Sequence, residues 1–390
     1  MKLRVCHIIT QLELGGAQQN TLYTLSHLDS NRFDVSLICG AGGFLDEEAK
    51  RGNWPTFFVS SLVRLIRPIQ DLLALLSLYR LLRQQKPHIV HTHSSKAGIL
   101  GRIAAYLAGV PVIIHTFHGF GFTPKQAPGL RKIFIALEKF CALLSIHLIF
   151  VSEDNRTEAA ELGIGRRTPN SLIRSGIVFQ RAAKSRVRQE LGISSKAWVV
   201  VSIGNFKLQK NPMDLVRVAS EVLKKKANTH FILVGDGELR PSVETWCQEQ
   251  GIGASIHFVG WRQDIPEILA AANGFLLTSL WEGLPRALVE ASAAQLPCVA
   301  YGVNGVKDIL QDGQTGFLIL PGDVSSAAEK IVWLQDHPEE GRRLGQAAAR
   351  RVGDEFNIDR MVHQQEELYN DLYENVPLKD YYESRWNVAK

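Results

Sequence analysis

The chain of 390 residues is 45% hydrophobic, 21% charged and 8% aromatic, which excludes a disordered or fibrous protein. At roughly 150 residues per domain, this length predicts about two domains. Its 44 basic and 39 acidic side chains leave a formal charge of +5, too small to require a nucleic-acid partner. An anionic small molecule or an anionic membrane surface is equally compatible with that charge. The five cysteines are scattered without a CxxC pair, which favours reduced thiols over disulfides or a zinc site.

The two most apolar segments predict neither a leader peptide nor a membrane span. The N-terminal apolar run turns polar at Gln11, too early for a signal peptide, so we expect a cytoplasmic protein. Residues 133–151 reach a spanning length only by including Glu138, Lys139 and His147. We predict an amphipathic helix followed by a strand in this segment.

Apolar runs of strand length alternate with segments of helix length along the chain. They lie at residues 5–9, 35–39, 56–59, 89–91, 112–116 and 148–151 and, after a polar, basic stretch near 178–196, at 198–203, 231–234, 256–259, 275–278, 298–301 and 317–320. Continuous apolar strands between helices indicate parallel sheets covered on both faces. We therefore predict an α/β protein of two doubly wound, Rossmann-like domains, residues 1–180 and 181–370, which face each other across a cleft. Functional residues should lie just after the strands.

Three segments of the first half place polar or glycine residues at predicted strand ends. Gly15 and Gly16 precede a helical segment and allow a ligand to approach the backbone, although a plain tight turn explains them equally well. The pair lacks the further glycine of a GxGxxG turn, which argues against a dinucleotide site. His118 either faces a substrate or caps its loop. His91 and His93 could line the same cleft, but no third histidine or carboxylate at suitable spacing supports a metal site.

Three loops of the second half also follow predicted strands. The loop at residues 204–211 carries Lys207 and Lys210 before a helix that begins near Pro212. Two cations beside free backbone N–H groups suit a diphosphate, and solvated lysines are the ordinary alternative. The other two loops are a glycine turn and a polar loop whose backbone could meet a nucleobase, and they contain Gly235 and Gly237, and Trp261, Arg262 and Ile265.

Residues 279–291 form the most informative segment. A helix that begins near Pro285 places Glu282 just outside its N-terminus and Glu290 inside it, more than one turn further along. The N–H groups of Gly283 and Leu284, with the positive end of the helix dipole, form an anion site. Carboxylates accept paired hydrogen bonds from vicinal sugar hydroxyls, but a surface glutamate and a capping glutamate would have the same spacing.

With these motifs the chain resembles a retaining glycosyltransferase of family 4, one of the group 1 glycosyl transferases, with the two-domain GT-B fold. Glu282 and Glu290 match the E-x7-E motif of the family. Four further segments resemble family motifs in the same order, namely the glycine turn at 15–16, the G-[RN]-x(4)-K-N stretch at 204–211, the G-x-G-x-L turn at 235–239 and the base-binding loop at 260–265. The GT-B fold also implies that residues 371–390 form a helix that crosses back to the N-terminal domain.

The resemblance implies a role for individual residues. Lys210 would hold the donor diphosphate, and Glu290 would bind the ribose. Glu282 would bind the transferred sugar near its 3-hydroxyl, and His118 would lie at its 6-hydroxyl and at the reacting centre. The catalytic residues implied are His118, Glu282 and Lys210, and the donor-binding residues implied are Gly15, Gly16, Asn205, Lys207, Lys210, Gly235, Gly237, Trp261, Arg262, Ile265, Glu282, Gly283, Leu284, Pro285 and Glu290.

One residue departs from the family pattern. Most members have an arginine at the position of Asn205, so this chain lacks one cation beside the diphosphate. We hypothesise that Lys207, two residues further on, replaces it.

The implied reaction moves a sugar from a nucleotide diphosphate sugar with retention of the anomeric configuration. UDP is the expected nucleotide, with GDP as the alternative. Lysines and a helix N-terminus would stabilise the charge on the leaving diphosphate, so we expect neither a metal nor another cofactor. The implied acceptor is a glycan or a polyprenyl-diphosphate-linked saccharide in cell-surface polysaccharide synthesis, and no motif supports a nucleic-acid partner.

Residues 62–83 and 124–147 are each both apolar and basic. In the second segment apolar residues recur every three or four positions, at Leu130, Ile133, Phe134, Leu137, Phe140 and Cys141, with Arg131, Lys132 and Lys139 elsewhere on the helix. A core-facing stripe with a solvated basic face is the ordinary interpretation, and a helix lying on an anionic bilayer is the other. Because relatives with a similar N-terminal turn and histidine loop act on polyprenyl-diphosphate sugars, we predict peripheral binding to the inner face of the cytoplasmic membrane.

Two other functions are compatible with the same architecture. A UDP-sugar 2-epimerase would release a free intermediate, but the E-x7-E spacing together with Lys210 favours transfer. A degenerate sugar-nucleotide-binding protein is suggested by Asn205, but the presence of Glu282, Glu290 and His118 argues against it.

Overall fold

The computed structural model describes residues 2–123, 126–179, 182 and 185–375. The chain forms two compact units, Met1–Gly176 with Ile358–Lys390, and Ile177–Asn357, which we call the N-terminal and C-terminal units. The predicted boundaries were 180/181 and 370/371, so the observed return to the first unit begins at Ile358, earlier in the chain. Residues 180 and 181 and the predicted terminal segment beyond residue 375 lie outside the described residues.

The N-terminal unit contains a seven-stranded parallel sheet with helices between the strands. Its strands are β1 Leu3–Gln11, β2 Phe33–Gly40, β3 Thr56–Phe58, β4 Ile89–His93, β5 Val112–Phe117, β6 His147–Phe150 and β7 Asn170–Leu172. Its first six helices are α1 Gly16–His27, α2 Asp46–Arg51, α3 Pro68–Gln85, α4 Ser95–Ala108, α5 Pro128–Leu143 and α6 Glu153–Leu162.

The order of the first sheet is β3-β2-β1-β4-β5-β6-β7. Alternate residues of a strand point to opposite faces, so Cys6 and Ile8 of β1 pack with α3 and α4 while Leu3 and Val5 pack on the other face. Since both faces are covered, most strands contain runs of consecutive apolar residues, which is why sequence patterning located them. The order reverses between β1 and β4, the topological switch point at which such sheets present ligand-binding residues.

The C-terminal unit repeats this plan with six parallel strands. Its elements are α7 Val187–Glu190, β8 Trp198–Ile203, α8 Pro212–Lys225, β9 Thr229–Val234, α9 Arg240–Glu249, β10 Ile256–Gly260, α10 Ile265–Ala271, β11 Gly274–Leu277, α11 Arg286–Ala293, β12 Cys298–Tyr301, α12 Val306–Ile309, β13 Phe317–Ile319, α13 Val324–Asp336 and α14 Pro338–Val352. The strand order is β10-β9-β8-β11-β12-β13, so the switch point lies between β8 and β11.

The last described helix, α15 Ile358–Asn375, belongs to the N-terminal unit. Ile358, Met361 and Val362 are buried in the same cluster as Leu3 and Val5. Tyr369 of the same helix is also buried in this cluster. Tyr381, Tyr382 and Trp386 lie outside the described residues.

Among the helices with a predicted position, α8 begins at Pro212 and α5 Pro128–Leu143 lies ahead of β6, as the sequence predicted. Within the residues described, no helix combines the length and the apolar character needed to cross a membrane.

Candidate functional site

An ion pair between Lys210 and Glu282 lies at the switch point of the C-terminal unit. Lys210 follows β8 and Glu282 follows β11, and these strands are neighbours in the sheet. The Lys210 Nζ donates to Glu282 Oε1 at 2.5 Å, and the side chains are only 20% and 6% exposed. The parallel topology therefore brings together two predicted site residues that are 72 positions apart.

The loops that carry this pair are joined by further hydrogen bonds. The Leu280 N–H donates to the Gln209 carbonyl at 2.8 Å, and Gln209 Nε2 donates to the Trp281 carbonyl at 3.0 Å. Thr278 Oγ1 donates to the Lys210 carbonyl at 3.2 Å. Neither loop can shift without breaking bonds to the other, so the backbones that carry the lysine and the carboxylate are held in place relative to each other.

Gly204 and Gly235 allow the first loop to close on the next strand end. A Cβ on Gly235 would lie 2.1 Å from the Gly204 carbonyl oxygen, and its φ of +125° disfavours any other residue. A Cβ on Gly237 would lie 2.8 Å from the Phe206 carbonyl oxygen. Gly235 and Gly237 are required because backbone packs closely against backbone there, whether or not they also contact a ligand.

Asn205 lies in a pocket whose lining includes Gly204, Phe206 and Lys210. Its side-chain oxygen is buried and has no hydrogen-bond partner among the described residues. A buried amide oxygen without a partner is costly, and the opposite orientation of the amide would present donors instead. Lys207 lies in the same loop, and its backbone carbonyl accepts from the Lys210 N–H at 3.0 Å.

The predicted base-binding loop is shaped by an arginine that already has two carboxylate partners. Arg262 donates to Asp264 at 2.6 and 2.8 Å and to Glu190 at 2.6 and 3.2 Å. These bonds lower the pKa of Asp264 and of Glu190 and raise that of Arg262. Arg262 therefore holds the loop in place, while Trp261 is 42% exposed and Ile265 begins α10.

The helix after Glu282 begins where the sequence predicted. Pro285 is the N-cap of α11, and Glu290 lies on the second turn. The N–H groups of Gly283 and Leu284 have no hydrogen-bond acceptor within the described part of the chain, so both remain available to an anion.

Two residues beside this helix were not identified from the sequence. Arg286 Nε donates to Glu290 Oε1 at 2.8 Å, an i, i+4 pair that spacing alone could have indicated. Gly305, with a φ of +75°, packs against Gly283, where a Cβ would lie 2.1 Å from the Gly283 carbonyl oxygen. That contact joins segments that are distant in sequence, so no local sequence pattern could have indicated it.

The predicted glycine turn of the N-terminal unit is extended backbone that leads directly into α1. Gly15 is the N-cap of α1 with φ −156°, and Gly16 is the first helical residue. A Cβ on Gly15 would lie 2.7 Å from the Gln18 side-chain oxygen, which is flexible. Neither a left-handed conformation nor a backbone clash therefore explains Gly15, which is consistent with room being kept for a ligand.

His118 belongs to a cluster of buried histidines at the switch point of the N-terminal unit. His93 Nδ1 lies 3.2 Å from His118 Nε2, and His93 Nε2 lies 2.9 Å from His7 Nδ1. Burial lowers the pKa of His118 to about 4 and that of His7 to about 3. Both rings are therefore neutral near pH 7.

His7 is the third histidine that the sequence could not connect with His91 and His93. The three rings offer nitrogen atoms within 4.8 Å of one another, a spacing that could hold a metal ion. Their nitrogens also form hydrogen bonds, since His91 contacts Tyr369 Oη and Thr116 Oγ1, each at 2.6 Å. The hydrogen bonds account for these nitrogens without an ion.

Known protein families and relatives match nearly the whole length of this protein. Residues 14–181 match the family described as glycosyltransferase family 4, and residues 183–351 match the glycosyl transferases group 1. The chain is 33% identical over 387 residues to the UDP-Gal:alpha-D-GlcNAc-diphosphoundecaprenol alpha-1,3-galactosyltransferase of Escherichia coli, covering 96% of this chain and 98% of the relative.

A second relative and a solved structure show lower identity over similar lengths. The capsular polysaccharide biosynthesis glycosyltransferase CapM of Staphylococcus aureus is 23% identical, with 89% of this chain and 92% of the relative covered. The crystal structure of Anabaena HepE in complex with UDP-glucose superposes with a TM-score of 0.82 at 20% identity, covering 95% of this chain and 100% of that one. The structural likeness confirms the predicted GT-B fold.

Proposed function

The chain belongs to glycosyltransferase family 4 of the group 1 glycosyl transferases, and we propose that it transfers a sugar from a UDP-sugar to a polyprenyl-diphosphate-linked saccharide, with retention of configuration. The transfer would serve cell-surface polysaccharide synthesis. The acceptor class and the nucleotide are those in the name of the Escherichia coli relative, and the CapM relative supports the polysaccharide context.

The observation that carries this proposal is the buried pair of Lys210 and Glu282 beside the N-terminus of α11. A carboxylate that is 6% exposed and held by a lysine is costly to maintain for stability alone. In the proposed complex Lys210 moves its charge to the donor diphosphate, and Glu282 accepts hydrogen bonds from the sugar hydroxyls. Glu290, held by Arg286, binds the ribose.

The proposed sugar transfer requires stabilisation of the negative charge that develops on the departing diphosphate. Lys210 and the N–H groups of Gly283 and Leu284 would supply it, and such preorganised groups are worth several kcal/mol in a transition state. We therefore propose that no metal is needed. For the N-terminal unit we propose that neutral His118 contacts the transferred sugar, as the family resemblance implies.

An assay with two arms tests the reaction class. Purified protein is incubated with UDP-sugars, with and without a GlcNAc-diphosphate-lipid acceptor, in the presence of EDTA. We expect UDP release to depend on the acceptor and the product to keep the α configuration. A free 2-epimer from the donor alone would instead identify an epimerase, and donor binding without turnover in either arm would identify a degenerate sugar-nucleotide-binding protein.

We predict that Lys207→Ala weakens donor binding. If Lys207 replaces the arginine that Asn205 lacks, its loss should raise the donor Kd about tenfold, the value of one modest charge-assisted bond of about 1.4 kcal/mol. The donor-induced rise in Tm reports that change, because bound ligand stabilises the folded state by RT ln(1 + [L]/Kd). Lys225→Ala, an exposed lysine on α8, is the matched control. Unchanged donor affinity in Lys207→Ala would make the compensation hypothesis wrong.

We also propose that the N-terminal unit binds an anionic bilayer through α3 and α5, which both pack against α4. Most of the apolar stripe of α5 and much of α3 are exposed, although Cys141 of that stripe is buried. The large apolar side chains that are at least 37% exposed on these helices are Ile69, Leu72, Leu73, Leu76, Leu130, Ile133, Leu137, Phe140 and Leu143. Exposed basic residues accompany them on the same helices, including Arg80, Lys132 and Lys139.

Vesicle flotation tests this surface. The protein should float with vesicles containing phosphatidylglycerol and much less with neutral phosphatidylcholine, because basic side chains add attraction to anionic lipid. The double variant Ile69→Glu/Ile133→Glu should bind at least tenfold more weakly, since two buried side chains of this size contribute about 1.5–3 kcal/mol each. Leu320→Glu, at a 77% exposed position of the C-terminal unit, should bind normally. Equal binding to both vesicle types would contradict the proposal.

A further inference from the structure

Four rings of the N-terminal unit form a hydrogen-bonded chain that ends at His118. His118 Nε2 lies 3.2 Å from His93 Nδ1, His93 Nε2 lies 2.9 Å from His7 Nδ1, and His7 Nε2 lies 3.5 Å from the Tyr369 hydroxyl. The rings come from the loop after β5, from β4, from β1 and from α15. His7, His93 and Tyr369 are at most 3% exposed, so only the His118 end can meet a ligand.

In this hydrogen-bonded chain, the nitrogen that carries the hydrogen in one histidine ring determines which nitrogen carries it in the next ring. Burial lowers the pKa of each of the three histidines, so all three are neutral near pH 7. A neutral imidazole carries one N–H and one bare nitrogen, and each contact needs one of each. If His118 has its hydrogen on Nε2, then His93 and His7 must also have theirs on Nε2, donating in turn toward Tyr369. If Tyr369 donates to His7, all three hydrogens lie on Nδ1.

The Tyr369 hydroxyl can select between these two arrangements because it has a second partner. Its oxygen lies 2.6 Å from His91 Nδ1, and His91 Nε2 lies 2.6 Å from Thr116 Oγ1. When the hydroxyl donates to His91, His7 donates to the hydroxyl and the chain carries its hydrogens on Nε2. When the hydroxyl donates to His7, His91 donates to the hydroxyl and the chain carries its hydrogens on Nδ1. When the hydroxyl donates to Gln365 Oε1, both His91 and His7 donate to it and the hydrogens again lie on Nε2. Within the described residues no carboxylate forms a hydrogen bond with a ring of this chain; His91 and Gln365, 3.4 Å away, contact the Tyr369 hydroxyl, and Thr116 contacts His91.

We propose that His93, His7 and Tyr369 are positioning residues that set the tautomer of His118 and so decide whether its outer nitrogen, Nδ1, accepts or donates a hydrogen bond at the substrate. The inference rests on the proposed contact of His118 with the transferred sugar. It adds that Tyr369 on α15, the last described helix of the protein, affects the reaction through the tautomer of His118, although the two residues are far apart in sequence.

Nitrogen-15 NMR of the intact protein with labelled histidine tests the coupling directly. Two-bond ¹H–¹⁵N spectra distinguish Nε2–H from Nδ1–H rings, and single histidine replacements assign the signals. We expect His7, His93 and His118 to carry hydrogen on the same nitrogen type, all Nε2 or all Nδ1. Hydrogens on different nitrogen types in the three rings would overturn the proposal. This measurement is independent of whether His118 contacts substrate.

Variants of the buried residues in this hydrogen-bonded chain test whether the tautomer of His118 affects kcat. His93→Leu removes the partner of His118, so we expect mixed His118 tautomers and a kcat at least tenfold lower with an unchanged KM for the donor. His93→Asn keeps a polar group near the position of Nδ1 and should recover most of the loss. A wild-type kcat and an unchanged His118 tautomer in His93→Leu would contradict the inference.

Tyr369→Phe tests the far end of the chain if His93→Leu does not fold. It should shift the His118 tautomer and lower kcat, whereas Tyr373→Phe, on the same helix against the ring of His88, should change neither. If the NMR coupling is found but His118→Ala is fully active, the positioning chain stands as structure and the proposed contact of His118 with the sugar fails.

Discussion

Lys210→Ala should lower kcat/KM for sugar transfer by about 10²–10³, the loss typical when one preorganised group that stabilises transition-state charge is removed. Lys210 pairs at 2.5 Å with Glu282, the residue directly before the N–H groups of Gly283 and Leu284 that precede α11. Its removal takes away the positive charge that the departing diphosphate needs. Initial rates over a range of donor and acceptor concentrations, with purified folded protein, measure the change.

The matched control for this prediction is Lys224→Ala. Lys224 also forms a close ion pair, with Glu221 at 2.6 Å, but it is 65% exposed on α8. An exposed pair of this kind contributes little, so rates should stay at the wild-type level. Lys210→Ala also leaves the Glu282 charge without its partner, so Tm is measured alongside, and a lowered rate at an assay temperature well below the Tm of the variant separates lost catalysis from lost stability. Rates within threefold of wild type in Lys210→Ala would refute the role of the lysine.

Glu138→Ala should lower the unfolding free energy of the N-terminal unit by about 3–5 kcal/mol, the usual cost of removing one partner of a buried ion pair. Arg102 on α4 donates to Glu138 on α5 at 2.5 Å, with side-chain exposures of 0% and 2%. Arg102 Nε also donates to the Gly98 carbonyl at 2.7 Å. Without Glu138 the guanidinium would remain buried and uncompensated. Urea unfolding followed by a probe in the N-terminal unit measures the loss.

Replacing both partners with apolar residues is the informative control. In Arg102→Met/Glu138→Leu no charge is left buried, so most of the stability should return. Glu339→Ala, which breaks the exposed pair with Arg342, should not move the urea midpoint. If Glu138→Ala unfolds at the wild-type urea concentration, the ion pair does not hold α5 against α4.

The strands were predictable because both sheets are covered on two faces. Each of the twelve apolar runs found in the sequence lies within or overlaps a strand. Among the strands of the described residues only β7 Asn170–Leu172 was missed; it has three residues, begins with an exposed polar side chain and lies at the sheet edge. An edge strand needs no continuous apolar run, so the pattern that located the others is missing there.

The candidate site was only partly readable. Pro285 allowed the start of α11, and with it the positions of Glu282 and Glu290, to be derived from local rules. The close contact of Gly305 with Gly283 and the joining of the two loops around Lys210 depend on which strands are neighbours. Sequence distance contains no information about such contacts until the strand order is known.

By itself the sequence determined the number of units, the order of strands and helices, and the segments that carry chemistry, because burial and helix termini impose local patterns. Only the tertiary structure decided which face of a helix is covered. The periodicity of α5 left open whether its apolar stripe faces the core or a bilayer; in the structure Ile133 and Phe140 are exposed, while Cys141 of the same stripe and Glu138 are buried. Arg102 on α4 explains the burial of Glu138, since a buried carboxylate is stable only where its counter-charge lies.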